Sequence, residues 1–325
     1  MILLTILIFL AILIIGHELG HFWAARRFGV RVDEFGFGLP PRIASRKRGE
    51  TRFSLNLLPL GGFVRIHGQQ REEDKPLEEP ERAFTNQPIY RRAIILIAGV
   101  AANFIIGWLA LSLVFSIGIS PKIFITQVLP GSAAEAAGFK ANEELAGFKS
   151  GEEFINFIKS HQGETITVND KKVAVPQEGI IGVGINTFSI PQENPIQSLV
   201  KGFDAALGIT AGIIKAVAGL IGNIFTGEGD GLKQVAGPVG IFNLIKETEG
   251  ATLLIYLLGL LSINLAIFNL LPIPALDGGH LLFLGIEKAI GRPVPRRVEI
   301  IANAIGFALL LLLIIKVTFQ DIARF

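Results

Sequence analysis

Two histidines four residues apart, with a glutamate directly after the first, stand at His17-Glu18-Leu19-Gly20-His21. On a helix, residues four apart share a face, so both imidazoles point the same way. Such a pair chelates zinc, and the glutamate between them is placed to take a proton from a metal-bound water. The pentad follows an apolar run, Ile2 to Ile15, interrupted only by Thr5. Ionisable groups that continue a membrane-type run are costly and need a reason. The bland alternative is a helix end reaching the polar interface, with His and Glu merely solvated.

Zinc held by two histidines needs a third protein ligand and keeps one position for water. The extended pattern HExxHxxGxxH is absent, because Ala24 and Arg27 stand where Gly and His are required. The chain has no cysteine, which excludes thiolate sites and disulfides. Besides His17 and His21 there are His67 and His161, in polar loops, and His280. Asp277, in Leu276-Asp277-Gly278-Gly279-His280, ends another apolar stretch and arrives at the depth of His17. Asp-Gly is also a common turn, but the membrane cost of a carboxylate favours a ligand. His280 reads as lying beside the metal centre or at the interface.

These residues need a membrane scaffold. Half of the 325 residues are hydrophobic and mean hydropathy is +0.53, a membrane composition. The net charge of +2 suggests no nucleic-acid partner. The N-terminal run lacks the basic start of a signal peptide and reads as a retained transmembrane helix, Ile2 to Arg27. His17 then lies roughly 22 Å along it, inside a hydrocarbon core about 30 Å thick. Residues 26–92 hold 14 of the 30 Lys and Arg, and none of residues 93–291 is Arg. The positive-inside rule places this first loop in the cytoplasm and the N-terminus outside. Within it, Phe53, Leu55 and Leu57 alternate with polar residues, and Pro59-Leu60-Gly61-Gly62 turns the chain into Phe63-Val64-Arg65-Ile66. This predicts a hairpin over 51–67, either a surface hairpin or one that dips beside the metal and pairs with an extended substrate. Residues 72–82 read as a charged connection.

The expected fold is a polytopic α-helical membrane protein with about four transmembrane helices, a cytoplasmic-side reentrant β-hairpin and a small extracytoplasmic PDZ-like α+β domain. Residues 1–120 form the first membrane part, ending in helix two (93–119), with Asn103 as its one strongly polar interior residue. Residues 121–190 form the small domain. Ile123–Val128, Glu164–Val168 and Ile180–Ile185 read as strands and Glu152–Ser160 as a helix. Pro130 to Phe139 is similar to the turn and short helix of PDZ domains. Residues 191–250 form an amphipathic helix and linker. Within them 205–225 carries one charge, Lys215, but nine Gly or Ala, so it reads as interfacial or membrane-embedded. Residues 251–325 form the second membrane part, with helix three running into Pro272 and helix four over 299–318. If 205–225 crossed the membrane alone, Asp277 would end on the wrong face to meet His17.

Three stretches together resemble the site-2 protease family of intramembrane zinc metalloproteases, of the bacterial regulator-of-sigma-E type. They are Gly16 to His21, Leu58 to Val64 and Asn269 to His280. The resemblance implies one zinc per chain, held by His17, His21 and Asp277, with Glu18 as general base. It implies a membrane-reentrant β-loop over Phe53 to Ile66 that holds extended substrate, which makes Leu57, Gly61, Gly62, Phe63 and Val64 candidate substrate contacts. Asn269 matches a family position near the metal that contacts substrate. Val235 to Ile241 resembles the segment before the third helix. Family members cleave single-pass membrane proteins, often anti-sigma factors, after another protease has trimmed them outside. A PDZ-like domain can take a peptide or substrate tail. The chain departs from the family at Val100-Ala101-Ala102-Asn103, where Gly-Pro often precedes the Asn, and has room for one PDZ-like domain where many members have two. The implied location is the inner membrane, with the N-terminus, small domain and C-terminus outside. Two alternatives are an inactive membrane PDZ-type scaffold and a metal transporter. Against them stand an intact His-Glu-His-Asp set and polar residues gathered at one depth.

Overall fold

The computed structural model describes residues 2–69, 78–226, 240 and 250–324. The Val235–Ile241 segment, apart from Gly240, most of the 72–82 connection and much of the 227–250 linker lie outside the described residues. The chain divides into two compact units, Met1–Leu113 with Leu199–Phe325, and Val114–Ser198.

The first unit is helical. Its main helices are α1 (Ile2–Arg27), α2 (Ile89–Ile117, which runs on into the second unit), α5 (Pro195–Thr226), α6 (Ala251–Leu270), α7 (Asp277–Ile290) and α8 (Arg296–Arg324). Among the described residues, five segments are long and apolar enough to cross a membrane: Leu4–Arg27, Ile89–Ile117, Pro195–Gly219, Ala251–Leu270 and Arg296–Ala323. Their side chains carry the apolar surface a bilayer requires. Leu309, Leu312 and Phe307 on α8 are about three-fifths exposed.

Small residues let three of these helices approach closely. A Cβ at Gly20 would overlap the Ala98 carbonyl, one at Gly16 the Ile106 side chain, and one at Gly107 the Ile263 side chain. Lower down, Ile6 and Phe9 of α1 pack with Leu254, Leu257 and Leu261 of α6. Thus α1 and α6 run the same way and α2 runs against both. If α1, α2 and α6 span the membrane, the chain between α2 and α6 crosses an even number of times. The α5 candidate, expected at 205–225 as interfacial or embedded, is therefore not a lone crossing there. Its first turns lean on α2: Trp108 Nε1 donates to the Leu199 carbonyl at 2.9 Å, and Phe203 sits edge-on to Phe104 and Trp108.

Between α1 and α2 lies a β-ribbon of β1 (Val32–Arg48) and β2 (Thr51–Ile66). A hairpin over 51–67 was expected to close on itself at Pro59–Gly62. The chain does fold back there, with Gly61 at φ +105°. Its two arms, however, do not face each other. Phe35 lies opposite both Phe53 and Val64, and Phe37 opposite both Leu55 and Gly62. The first half of β1 is thus inserted between the arms of β2, and the reverse turn of the ribbon falls at Gly49-Glu50. The charged Asp33 and Glu34 and the glycines Gly36 and Gly38 hide the alternation of this strand in the sequence. Glu34 is nevertheless buried, held by Arg42 at 2.7 Å and Arg65 at 3.3 Å. The ribbon root packs on α1, α2 and α7 through Phe22, Val30, Val32, Ile66, Ile95 and Leu284. Arg92 of α2 pairs with Glu287 of α7 beside this core (Nη1–Oε2 3.0 Å).

The second unit has a sheet of β3 (Ile119–Val128), β4 (Glu144–Leu145) and β7 (Val183–Ile190), in the order β4-β3-β7. A hairpin joins β5 (Thr165–Val168) to β6 (Lys171–Ala174) through Asn169-Asp170, both at positive φ. Helix α4 (Gly151–Ser160) starts at Ser150, which accepts from the Glu153 amide, and buries Phe154 and Ile158 against Ile123, Ile125 and Val173. Helix α3 (Ala133–Ala136) is a single turn. The expected strands at 123–128 and 164–168 and the helix at 152–160 are present, whereas the strand expected over 180–185 begins only at Val183 and runs on to Ile190. The short β4 and β6 carry too few residues to show a pattern.

Candidate metal centre

Helix α1 carries His17 and His21 one turn apart. Their Nε2 atoms lie 3.1 Å from each other, with the rings edge to face. Asp277 is the first residue of α7, and its Oδ2 lies 3.1 Å from His17 Nε2 and 3.3 Å from His21 Nε2. Among the described residues these three form the one cluster able to hold a metal ion.

The donor set fits zinc. His21 Nδ1 stands 2.8 Å from the Ile95 carbonyl, so it carries the proton and leaves Nε2 as a bare lone pair in the neutral ring. Asp277 Oδ2 is buried and makes no hydrogen bond. Lone pairs gathered in an apolar bundle repel one another unless a cation joins them. Four donors at about 2.0–2.1 Å around a tetrahedral ion lie roughly 3.3–3.4 Å apart, close to the spacing found here.

Two different supports hold the ligands. A Cβ at Gly99 of α2 would overlap both imidazoles, so this position leaves room for the rings. The Asp277 side is built from loop. After α6 ends at Leu270, residues 271–276 fold into tight turns, with Ile273 bonded to the Leu271 carbonyl and Ala275 at φ +76°. The Ala275 amide donates to Asn303 Oδ1 of α8 at 2.9 Å. A Cβ at Gly278 would overlap the Leu270 and Leu271 carbonyls, and one at Gly306 the Pro274 carbonyl. The glycines after Asp277 therefore let α7 begin directly against this loop.

Glu18 faces the ribbon. An added Cβ at Gly62 would come within 3.3 Å of Glu18 Cγ, and the Val64 backbone lies near enough to act on the Glu18 carboxylate. Of the residues singled out in the sequence, the structure thus gathers His17, Glu18, His21, Asp277, Gly62 and Val64. Phe63 lies beside Gly36 and Arg65, Gly61 forms the bend, and Leu57 is exposed on the ribbon. Asn269 is half-buried in the last turn of α6. His280 follows on α7 with its ring near Phe283 and is outside the cluster. His67 is held by Asp33 and the Glu78 carbonyl, and His161 by the Phe157 carbonyl. The Ile95 carbonyl, Gly99 and Asn303 were not singled out. The spacing Gly99-x-x-x-Asn103, two positions on one helix face, is a signal that could have found α2.

The sequence profile of peptidase family M50 matches residues 5–313. The chain belongs to peptidase family M50. Relatives match over nearly their whole length. A Nostoc sp. (strain PCC 7120) protein is 35% identical over 96% of this chain and 94% of its own. The zinc metalloprotease RasP of Geobacillus kaustophilus is 29% identical over 96% of both chains, and that of Shouchella clausii 27% over 98% of this chain and 99% of its own. The M50 chain is an intramembrane zinc metalloprotease, and its His-His-Asp cluster is the place for the metal.

Proposed function

We propose that this M50 protease hydrolyses a peptide bond within or beside the transmembrane segment of single-pass membrane proteins, including anti-sigma factors, after another protease has shortened them outside. The observation that carries the reading is the meeting of three metal-ligand atoms, a carboxylate and the arm of a β-ribbon inside one apolar helix bundle. His17, His21 and Asp277 hold the zinc. When bound, zinc acidifies a water and polarises the scissile carbonyl. Glu18 takes the proton of the attacking water and returns it to the leaving amine. Its place beside Gly62 and Val64 lets the same ribbon arm that touches the base also lie along the substrate.

A transmembrane helix hides its carbonyls in its own hydrogen bonds, so it must unwind before cleavage. Pairing with the 61–66 arm offsets that loss through new main-chain bonds, and Asn269 holds the chain near the metal. The exposed Leu39, Ile43, Leu57 and Leu58 support a ribbon that re-enters the membrane. The cationic 26–92 segment supports a cytoplasmic ribbon, with both termini and the small domain outside. We read that domain as PDZ-like, filtering or binding trimmed substrate tails.

The test is cleavage of a tagged single-pass protein with a trimmed outer domain, by the wild type and by Glu18→Gln, with zinc quantified in both. The expected result is full zinc and cleavage reduced by at least about 10²-fold in the variant, the scale of a lost general base. Equal cleavage by both proteins would refute the role of Glu18. Replacing Phe63 and Arg65 together by Pro tests strand pairing: unchanged cleavage would rule it out.

A further inference from the structure

The two imidazoles differ in how their outer nitrogens are satisfied. His21 Nδ1 has the Ile95 carbonyl at 2.8 Å. His17 Nδ1 faces the side chain of Asn103, two turns further along α2, whose carboxamide nitrogen lies 3.4 Å away. Asn103 is 0% exposed, and its carboxamide oxygen is buried with no hydrogen-bond partner. The ordinary use of a buried asparagine in a helix bundle is a side-chain bond to a neighbouring helix. Here the contact to α6 is made by the backbone instead: Ser262 Oγ donates to the Asn103 carbonyl at 2.7 Å. The carboxamide is thus not used to join α2 to α6 and is left facing His17.

A metal ligand bound through Nε2 must carry its proton on Nδ1, and that proton needs an acceptor. The carboxamide is the polar group facing His17 Nδ1. A half-turn about its Cβ–Cγ bond exchanges oxygen for nitrogen at nearly the same place, because the two ends of an amide have almost the same shape. We propose that Asn103 is the positioning residue of His17, its Oδ1 accepting the Nδ1 proton when Nε2 turns to the metal, as the Ile95 carbonyl does for His21. On this arrangement one face of α2 serves the whole histidine pair. Ile95, Gly99 and Asn103 follow at four-residue steps, an acceptor, a gap and an acceptor. Nothing equivalent is needed at Asp277, which has no tautomer to choose. The inference rests on the reading of His17 as a zinc ligand.

The experiment measures zinc affinity of the full chain in detergent, by competition with a chromophoric chelator, for Asn103→Leu, Asn103→Asp and His17→Ala. The metal-free melting temperature is followed in parallel. Loss of such a partner typically weakens metal binding by about 10–100-fold, and that loss is expected for Asn103→Leu without a lower metal-free melting temperature. Asn103→Asp keeps an acceptor and is expected within about threefold of wild type or tighter. Wild-type affinity in Asn103→Leu, or equal loss in both Asn103 variants, overturns the proposal. If Asn103→Leu does not fold, the ring-nitrogen ¹⁵N spectrum of the zinc-loaded wild type decides. A coupling across the hydrogen bond from the His17 Nδ1 proton to the Asn103 carboxamide carbon supports the proposal, and a protonated His17 Nδ1 without that coupling overturns it. His17→Ala separates the two levels. Undiminished zinc binding there refutes the ligand reading itself, whereas lost binding there with unchanged Asn103→Leu refutes only the positioning role.

Discussion

The two sides of the metal centre are built by opposite means. His17 and His21 ride on an unbroken helix, so their spacing follows from helix geometry, and α2 only has to leave room and offer acceptors. Asp277 opens a short helix behind six irregular residues, and its place depends on Asn303, on Gly306 and on the carbonyls at the end of α6. One side is fixed by local periodicity and the other by tertiary contacts. Errors should therefore propagate differently: crowding displaces the histidines only if it comes from α2, whereas several distant residues can displace the aspartate.

The largest effect is expected where that room is removed. In Gly99→Val the new Cβ would stand 2.6 Å from His21 Cε1 and 2.9 Å from His17 Cε1, with two methyl groups beyond it. Overpacking of this kind costs about 1–3 kcal/mol even where neighbours can shift, and here the neighbours are the ligands. Zinc content near zero and no measurable cleavage are expected. A Gly99→Val protein with full zinc would show that the histidine side is more yielding than its helix suggests.

Gly278→Ala makes the matching test on the aspartate side. Its Cβ meets backbone carbonyls rather than side chains, so α7 must move as a body and carry Asp277 with it. A displacement near 1 Å at a reacting centre costs about 10²-fold in rate. Cleavage is expected to fall by roughly that factor while some zinc is retained through the histidines. Complete loss of zinc would mean that the aspartate, not the histidine pair, dominates affinity. Asn303→Leu probes the same loop from α8. It removes the partner of the Ala275 amide, the loss of one ordinary hydrogen bond, about 0.5–1.5 kcal/mol. Roughly tenfold weaker zinc binding is expected, with α1 and α2 unchanged in hydrogen exchange.

The same contrast explains what the sequence disclosed. His17, Glu18 and His21 are legible because their chemistry and their spacing lie in one helix. Asp277 is legible because a carboxylate ending an apolar run is rare, and because α1 and α6 run the same way, as the depth argument required. Gly99, Ile95 and Asn303 are silent: a glycine matters here for what it lacks, a carbonyl is common to every residue, and Asn303 meets the loop only in three dimensions. The ribbon was half legible. Its β2 alternation showed, but the partner strand was masked by Asp33 and Glu34, and buried charge compensated by Arg42 and Arg65 has no period to read.

The smallest expected effect asks whether the loop under Asp277 is strained. Ala275 holds φ +76°, a region that costs an L-residue about 1–2 kcal/mol relative to the right-handed one. Glycine enters it freely but gives up roughly 0.4–1 kcal/mol through its larger freedom in the unfolded chain. Ala275→Gly should therefore raise stability by about 0–1.6 kcal/mol, read as a small rise in metal-free melting temperature. The Asn303 bond is to the backbone and survives the change, so zinc affinity should hold. If affinity falls instead, the methyl group is packing the loop and the aspartate side is more exacting than its irregular backbone implies. If stability and affinity both stay level, the loop pays nothing for its conformation, and tertiary contacts alone place Asp277.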